Sequence, residues 1–255
     1  MATLKMDSRD GVITVTINRP EKRNALNREV LTELATTFTR AAQDDGLKAA
    51  VIIGAGDKSF AAGGDLRDLE GIRTRKGARE MADNAKQAFE AIRRFPVPVV
   101  AALNGDALGG GAELAVACDF RVFAHHARIG FVHGRLNIST AWGGGVDLMR
   151  LVGPAVGLRL LSRSELIAGP DAVAIGLGDA AASPGQPLAH LVADFLEPIK
   201  AQVPRALRAF KAVAMAARFG ASRPEMLRLE TKTFAETWVH DDHWRAAEAL
   251  LGGRK

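Results

Sequence analysis

The sequence predicts an α/β fold on three observations. Strand-like and helix-like segments alternate through residues 1–185, the segment AAVIIG is apolar throughout as a strand covered on both faces must be, and the remaining chain keeps helix periodicity with almost no strand signal. A length of 255 residues with 47% hydrophobic content suffices for one large domain, or one domain with an appendage.

The opening LKMDSRDGVITVTINRP alternates apolar and polar residues on both sides of Asp10-Gly11, the pattern of a hairpin with a primed turn. Asn27 then precedes a run in which Val30, Leu31, Leu34 and Phe38 recur at helical spacing, so Asn27 is the expected N-cap. The buried strand AAVIIGAG follows, with turn chemistry at Gly54 to Lys58. A longer helix is expected over about Gly77 to Arg94, then a strand in PVPVVAALNG, a short buried helix in GGGAELAVACD, and a strand pair in FRVFAHHARIGF with His125-His126 at an exposed turn. Beyond Gly185 the chain reads as helices punctuated by prolines at 184, 187, 198, 204 and 224.

No apolar stretch approaches the roughly 20 residues of a membrane span, and Met1 to Asp10 lacks the layout of a secretory signal. Cys118 is the only cysteine, which excludes an internal disulfide and reads as a small buried residue. The expectation is a soluble, cytoplasmic protein. A formal net charge of +5 suits an anionic partner without choosing among phosphate cofactors, nucleic acid and acidic lipid. The basic clusters around Arg73 to Arg79 and around Arg205 to Lys211 lack interleaved aromatics, and tyrosine is absent, so a nucleic-acid stacking platform is not expected.

Two glycine turns carry the chemistry. ALGGGAEL, Ala107 to Leu114, opens an apolar helix whose first N–H groups are unpaired and approachable without a Cβ in the way. Such a helix start receives a phosphate or the developing oxyanion of a thioester. SFAAGGDL, Ser59 to Leu66, is a second such turn, with Asp65 placed to cap the next helix. One N–H from each turn would make a two-donor hole, and losing one donor from such a hole costs about 3 to 4 kcal/mol of transition-state stabilisation. No P-loop motif occurs, and no GxGxxG follows the first strand.

These residues resemble the enoyl-CoA hydratase/isomerase, or crotonase, superfamily over nearly the whole chain. NRPEKRNALN is similar to its CoA-contacting segment, FAAGGDL to its first oxyanion turn, and NGDALGGGAELAVACDFRV to its most diagnostic stretch. The resemblance implies a crotonase-like spiral of β-β-α repeats over 1–185, holding the CoA and active sites, and a helical C-terminal trimerisation region over 186–255. It also implies an acyl-CoA substrate, a homotrimer or hexamer, and no cofactor beyond the CoA that enters with the substrate. By motif position, Gly64 and Gly110 would form the oxyanion hole. Lys22, Arg23, Ala25, Leu26, Ala62, Asp65, Leu66 and Trp142 would contact substrate or CoA, with Lys211 a further candidate for the phosphates.

Glu113 matches one of the two glutamates the resemblance assigns to hydratases, while His133 falls where the second would stand. Hydration asks one group to position and deprotonate water and another to deliver a proton to carbon, so this departure bears on the reaction. Histidine is a competent proton donor near neutral pH and suits protonation of an enolate, such as the one left when a malonyl-type thioester loses CO2. FVHGRLNISTAWGGG resembles the corresponding segment of ethylmalonyl-CoA decarboxylases, as does the tail with Trp238 after Phe234. Decarboxylation of an alkylmalonyl-CoA is therefore the expected reaction, enoyl-CoA hydration the alternative, and a non-catalytic RNA-binding or scaffolding member the third. Arg135 is a candidate partner for a substrate carboxylate. HDDHW at His240 to Trp244 lacks a second ligand pair, so no metal is expected.

Overall fold

A computed structural model describes residues 2–252; residues 1 and 253–255, the outer ends of the two expected regions, lie outside the described residues. The chain begins with β1 (Leu4–Arg9) and β2 (Val12–Ile17), antiparallel with Arg9 opposite Val12. Asp10 and Gly11 join them at φ of 53° and 75°, the left-handed pair a two-residue primed turn requires. In α1 (Arg28–Ala41) the Asn27 side chain accepts from Val30 N at 3.0 Å, and Val30, Leu31, Leu34 and Phe38 are buried.

Three strand pairs then follow: β3 (Ala49–Gly54) with β4 (Ser59–Ala61), β5 (Val99–Leu103) with β6 (Asp106–Leu108), and β7 (Phe120–Phe123) with β8 (Arg128–Gly130). Each pair contributes its first strand to a six-stranded sheet and its second to a four-stranded sheet. Helices α2 (Leu66–Leu69) and α3 (Arg75–Arg93) follow the first pair, α4 (Gly110–Ala117) the second, and a 3₁₀ turn at Val132–Leu136 with α5 (Gly144–Arg163) the third. This repetition is the β-β-α spiral. Then come β9 (Leu166–Ala168), α6 (Gly169–Ala174) and β10 (Ala180–Ala181), before α7 (Leu188–Lys200), α8 (Pro204–Arg218), α9 (Arg223–Trp238) and α10 (Asp241–Gly252).

The large sheet runs β1-β2-β3-β5-β7-β10 and is parallel after β2; the small sheet runs β4-β6-β8-β9 with only β9 antiparallel. Every residue of β5 is buried, as a parallel strand between two layers requires. One face of the large sheet meets the core under α1, α3 and α4, while Val51, Val100 and Val122 on the other pack against Leu196 of α7.

One sequence expectation needs correction. The chain from Leu103 to Gly110 is not a plain turn, because β6 intervenes; its three residues are too few to show a period. The two strands read in FRVFAHHARIGF both form, and they enter different sheets. Phe234 of α9, Val239 just after it and Leu250 of α10 are exposed, and this is the surface on which the trimer expectation bears.

Candidate active site

The two glycine turns meet at the N-terminal end of α4. Gly63 has φ of +101°, and a Cβ there would lie 3.0 Å from the Leu108 carbonyl oxygen and 3.4 Å from the Gly110 nitrogen, so a side chain would hold the turns apart. The first turn is zipped to the segment after the hairpin: Ala62 N donates to Arg23 O at 3.1 Å, Leu26 N to Gly63 O at 2.8 Å, and Asp65 N to Leu26 O at 3.0 Å. The second is anchored by Gly109 N donating to Gly130 O at 2.9 Å. Among the described residues, the N–H groups of Gly64 and Gly110 find no backbone or side-chain acceptor.

Both glycines line a cavity of about 170 Å³, together with Glu113 and His133. The rest of its wall is mostly apolar, including Ala62, Leu66, Leu69 and Trp142, and among the described residues no lysine or arginine belongs to it. The Trp142 indole roofs the hole: a Cβ on Gly110 would stand 2.2 Å from its Cζ3, and one on Gly64 3.2 Å from its Cη2. The ring meets Phe89 edge-on at 5.7 Å between centroids, and its Nε1 donates to Met81 Sδ at 3.4 Å.

Glu113, in the first turn of α4, is 1% exposed and fully engaged. Its Oε1 accepts from Trp142 N and Gly144 N, each at 3.0 Å, and its Oε2 lies 3.1 Å from His133 Nε2. A Cβ on Gly144 would sit 2.4 Å from Glu113 Cβ and Cγ, so only glycine brings that N–H close enough. Where the carboxylate is ionised it can only accept, and the histidine tautomer that matches it donates from Nε2. His133 Nδ1 is buried without a hydrogen-bond partner. The site thus offers two free N–H donors beside one imidazole whose orientation a carboxylate sets.

Gly64, Gly110, Glu113, His133, Ala62, Leu66 and Trp142 come together at this cavity. Lys22, Arg23, Ala25 and Leu26 do not line it but lie along the strip zipped to the first turn. Lys22 and Arg23 are exposed, and among the described residues neither side chain joins an ion pair or hydrogen bond.

Three further candidates lie off the cavity wall. The Asp65 carboxylate does not line the cavity: it pairs with Arg19 at 2.8 Å and caps Arg67 N at 3.2 Å. Burial works to raise its pKa, but the Arg19 hydrogen bond and charge outweigh it and leave the group below its ordinary value. Lys211 is buried against Asp119, its Nζ donating to the carboxylate at 2.5 Å, and it lines no part of the cavity; burial works to lower its pKa. Arg135 donates to the Ser164 carbonyl at 2.8 Å and lines no part of the cavity.

Three charged residues that sequence reasoning passed over lie behind the Trp142 roof: Arg93, Asp147 and Arg218. The one sequence signal is that Arg93 follows Ile92 on the stripe containing Ala85, Phe89 and Ile92, where a solvated arginine is not expected. Among the described residues no His, Cys, Asp and Glu cluster could hold a metal ion, and no helix is long and apolar enough to cross a membrane.

The model of the enoyl-CoA hydratase/isomerase family matches residues 7–253. Crotonyl-CoA hydratase from Syntrophomonas wolfei is 38% identical over 172 residues, covering 68% of this chain and 66% of that one. Ethylmalonyl-CoA decarboxylase from Xenopus laevis is 32% identical over 172 residues, covering 68% of this chain and 57% of that one. Among solved structures, an enoyl-CoA hydratase from Bacillus anthracis superposes with a TM-score of 0.91 at 27% identity, over 99% of this chain and 97% of the other.

Proposed function

The chain belongs to the enoyl-CoA hydratase/isomerase family and is an enzyme acting on acyl-CoA thioesters; from that premise we propose that it decarboxylates an alkylmalonyl-CoA. The observation that carries this reading is the His133–Glu113 contact at 3.1 Å beside the free N–H groups of Gly64 and Gly110.

The thioester carbonyl oxygen sits between the two glycine N–H groups. As the bond from Cα to the carboxylate breaks, its electron pair moves toward the thioester carbonyl, the oxygen gains charge, and CO2 leaves neutral. Two preorganised donors stabilise the resulting enolate, each contributing about 3 to 4 kcal/mol by comparison with other oxyanion holes. Protonated His133, oriented by Glu113, then delivers a proton to Cα and is reprotonated from solvent. Among the described residues no lysine or arginine lines the wall to pair with the substrate carboxylate, whereas the departing CO2 carries no charge. Exposed Lys22 and Arg23 suit the CoA phosphates outside the cavity.

Hydration is the second reading, favoured by the crotonyl-CoA hydratase among the relatives. Glu113 would then position and deprotonate water, with His133 replacing a second carboxylate. Incubation with ethylmalonyl-CoA, methylmalonyl-CoA and crotonyl-CoA, followed by product mass, separates the two. Loss of CO2 from either malonyl thioester with crotonyl-CoA untouched is the expected result; gain of water on crotonyl-CoA alone would overturn decarboxylation.

A further inference from the structure

Behind the roof of the cavity lies a run of buried and part-buried charges that the proposed reaction does not touch. Arg93, in the last turn of α3, and Asp147, in the first turn of α5, are each 5% exposed. Arg93 Nε donates to Asp147 Oδ2 at 2.8 Å, and its Nη2 donates to the Trp142 carbonyl at 3.1 Å. Arg218, the last residue of α8, donates from Nε to Asp147 Oδ1 at 3.1 Å. Its two terminal nitrogens donate to the carbonyls of Ala117, at 3.0 Å, and Val116.

Those two carbonyls close the C-terminal end of α4, the helix whose first turn carries Gly110 and Glu113. The arrangement suits the helix dipoles throughout, with cations at the C-terminal ends of α3 and α4 and the anion at the start of α5. Trp142 is held from both sides of its main chain, its N–H by Glu113 and its carbonyl by Arg93. Gly143, at φ of +92°, lets the Arg93 guanidinium press on the turn; a Cβ there would lie 2.7 Å from Nη2.

We infer that Asp147, gripped by Arg93 and Arg218, is a positioning residue that fixes the Trp142–Gly144 turn against α4, so that the turn's two N–H groups hold Glu113 where it orients His133. The inference rests on the reading that Glu113 and His133 are the working pair. A buried ion pair adds little net stability over well-packed apolar residues, so orientation is the better reason for keeping three charges here. Guanidinium is suited to the task because its planar fork serves a carboxylate and a carbonyl at once, which an ammonium does not.

The test uses Asp147→Asn and Arg93→Lys, each checked by thermal melting. The first readout, independent of any substrate, is the ¹⁵N-histidine NMR titration of His133, assigned against His133→Ala. The second is kcat and KM on whichever thioester the native enzyme turns over. The folded variants are expected to shift the His133 midpoint and lower kcat on the order of 10- to 100-fold, with KM little changed. In a Glu113→Gln background, Asp147→Asn is expected to have no further effect on kcat, since both changes act through one group. A folded variant with native kcat and a native His133 midpoint would overturn the inference, as would an undiminished loss in the Glu113→Gln background. Should the native chain turn over no thioester offered, the functional reading fails, while the His133 titration still decides this one.

Discussion

Glu113 and Asp147 are the two buried carboxylates among the described residues, and they are satisfied in opposite ways. Asp147 spends both oxygens on guanidinium groups, Arg93 on one and Arg218 on the other. Glu113 meets no such fixed cation; two backbone N–H groups and one imidazole hold it, and that imidazole keeps a buried nitrogen without a partner. Buried polar groups are nearly always paired, so unmet valence is the exception that needs a reason. Of the two buried side-chain atoms left without a partner among the described residues, Arg208 Nε lies apart, whereas His133 Nδ1 belongs to a residue of the cavity wall that also carries the free N–H groups of Gly64 and Gly110; the charges behind the roof bond one another as a closed set. On the proposed reaction, the open set is where a reacting molecule completes the bonding, and the closed set is framework.

The largest expected effect tests the open set. His133→Ala removes the proposed proton donor but leaves Glu113 its two backbone N–H partners. Turnover of the preferred thioester is expected to fall by about 10²- to 10⁴-fold, measured as kcat, and unfolding in urea to change by less than about 2 kcal/mol. A variant that kept native kcat would show that the unpartnered imidazole is core filling.

Arg93→Ala tests the closed set. It leaves Asp147 buried with Arg218 alone and strips the Trp142 carbonyl of its donor. Breaking a buried pair from one side costs about 3 to 5 kcal/mol, to be read as a lower urea midpoint at unchanged slope. A loss below about 1 kcal/mol would mean that water enters and that the set is not closed.

The contrast also marks how far the sequence could be read. Caps and turns were legible because their chemistry is local: Asn27 and Asp65 cap as expected, and Asp10-Gly11 turns the hairpin. The glycine turns were legible as donors, and the family resemblance put Glu113 and His133 in one site. The short strands β6, β9 and β10 were missed because two or three residues show no period. Arg93, Asp147 and Arg218 were missed for another reason. Their meeting spans 54 and 71 positions of chain, and each alone reads as an ordinary charge near a helix end. The partner of Lys211 was missed likewise, since Asp119 lies 92 positions away.

Trp142 joins the two sets, and the smallest expected effect comes from altering its side chain alone. Its main chain is gripped by Glu113 and Arg93, whereas its ring meets Phe89 and Met81 and covers the two glycines. Trp142→Phe keeps both main-chain bonds and an edge-on aromatic contact, so stability should drop by less than about 1.5 kcal/mol. The atoms that cover Gly110 and Gly64 are Cζ3 and Cη2 of the indole, which the smaller ring lacks, so space opens over the hole. Each methylene accommodated there is worth about 1 to 3 kcal/mol, so kcat/KM for a longer acyl group should rise relative to the shortest one turned over, with little change in the latter's kcat. An unchanged preference would place the acyl chain elsewhere in the cavity. A collapse of kcat on every thioester would show that the indole, and not only its peptide, holds Glu113 in place.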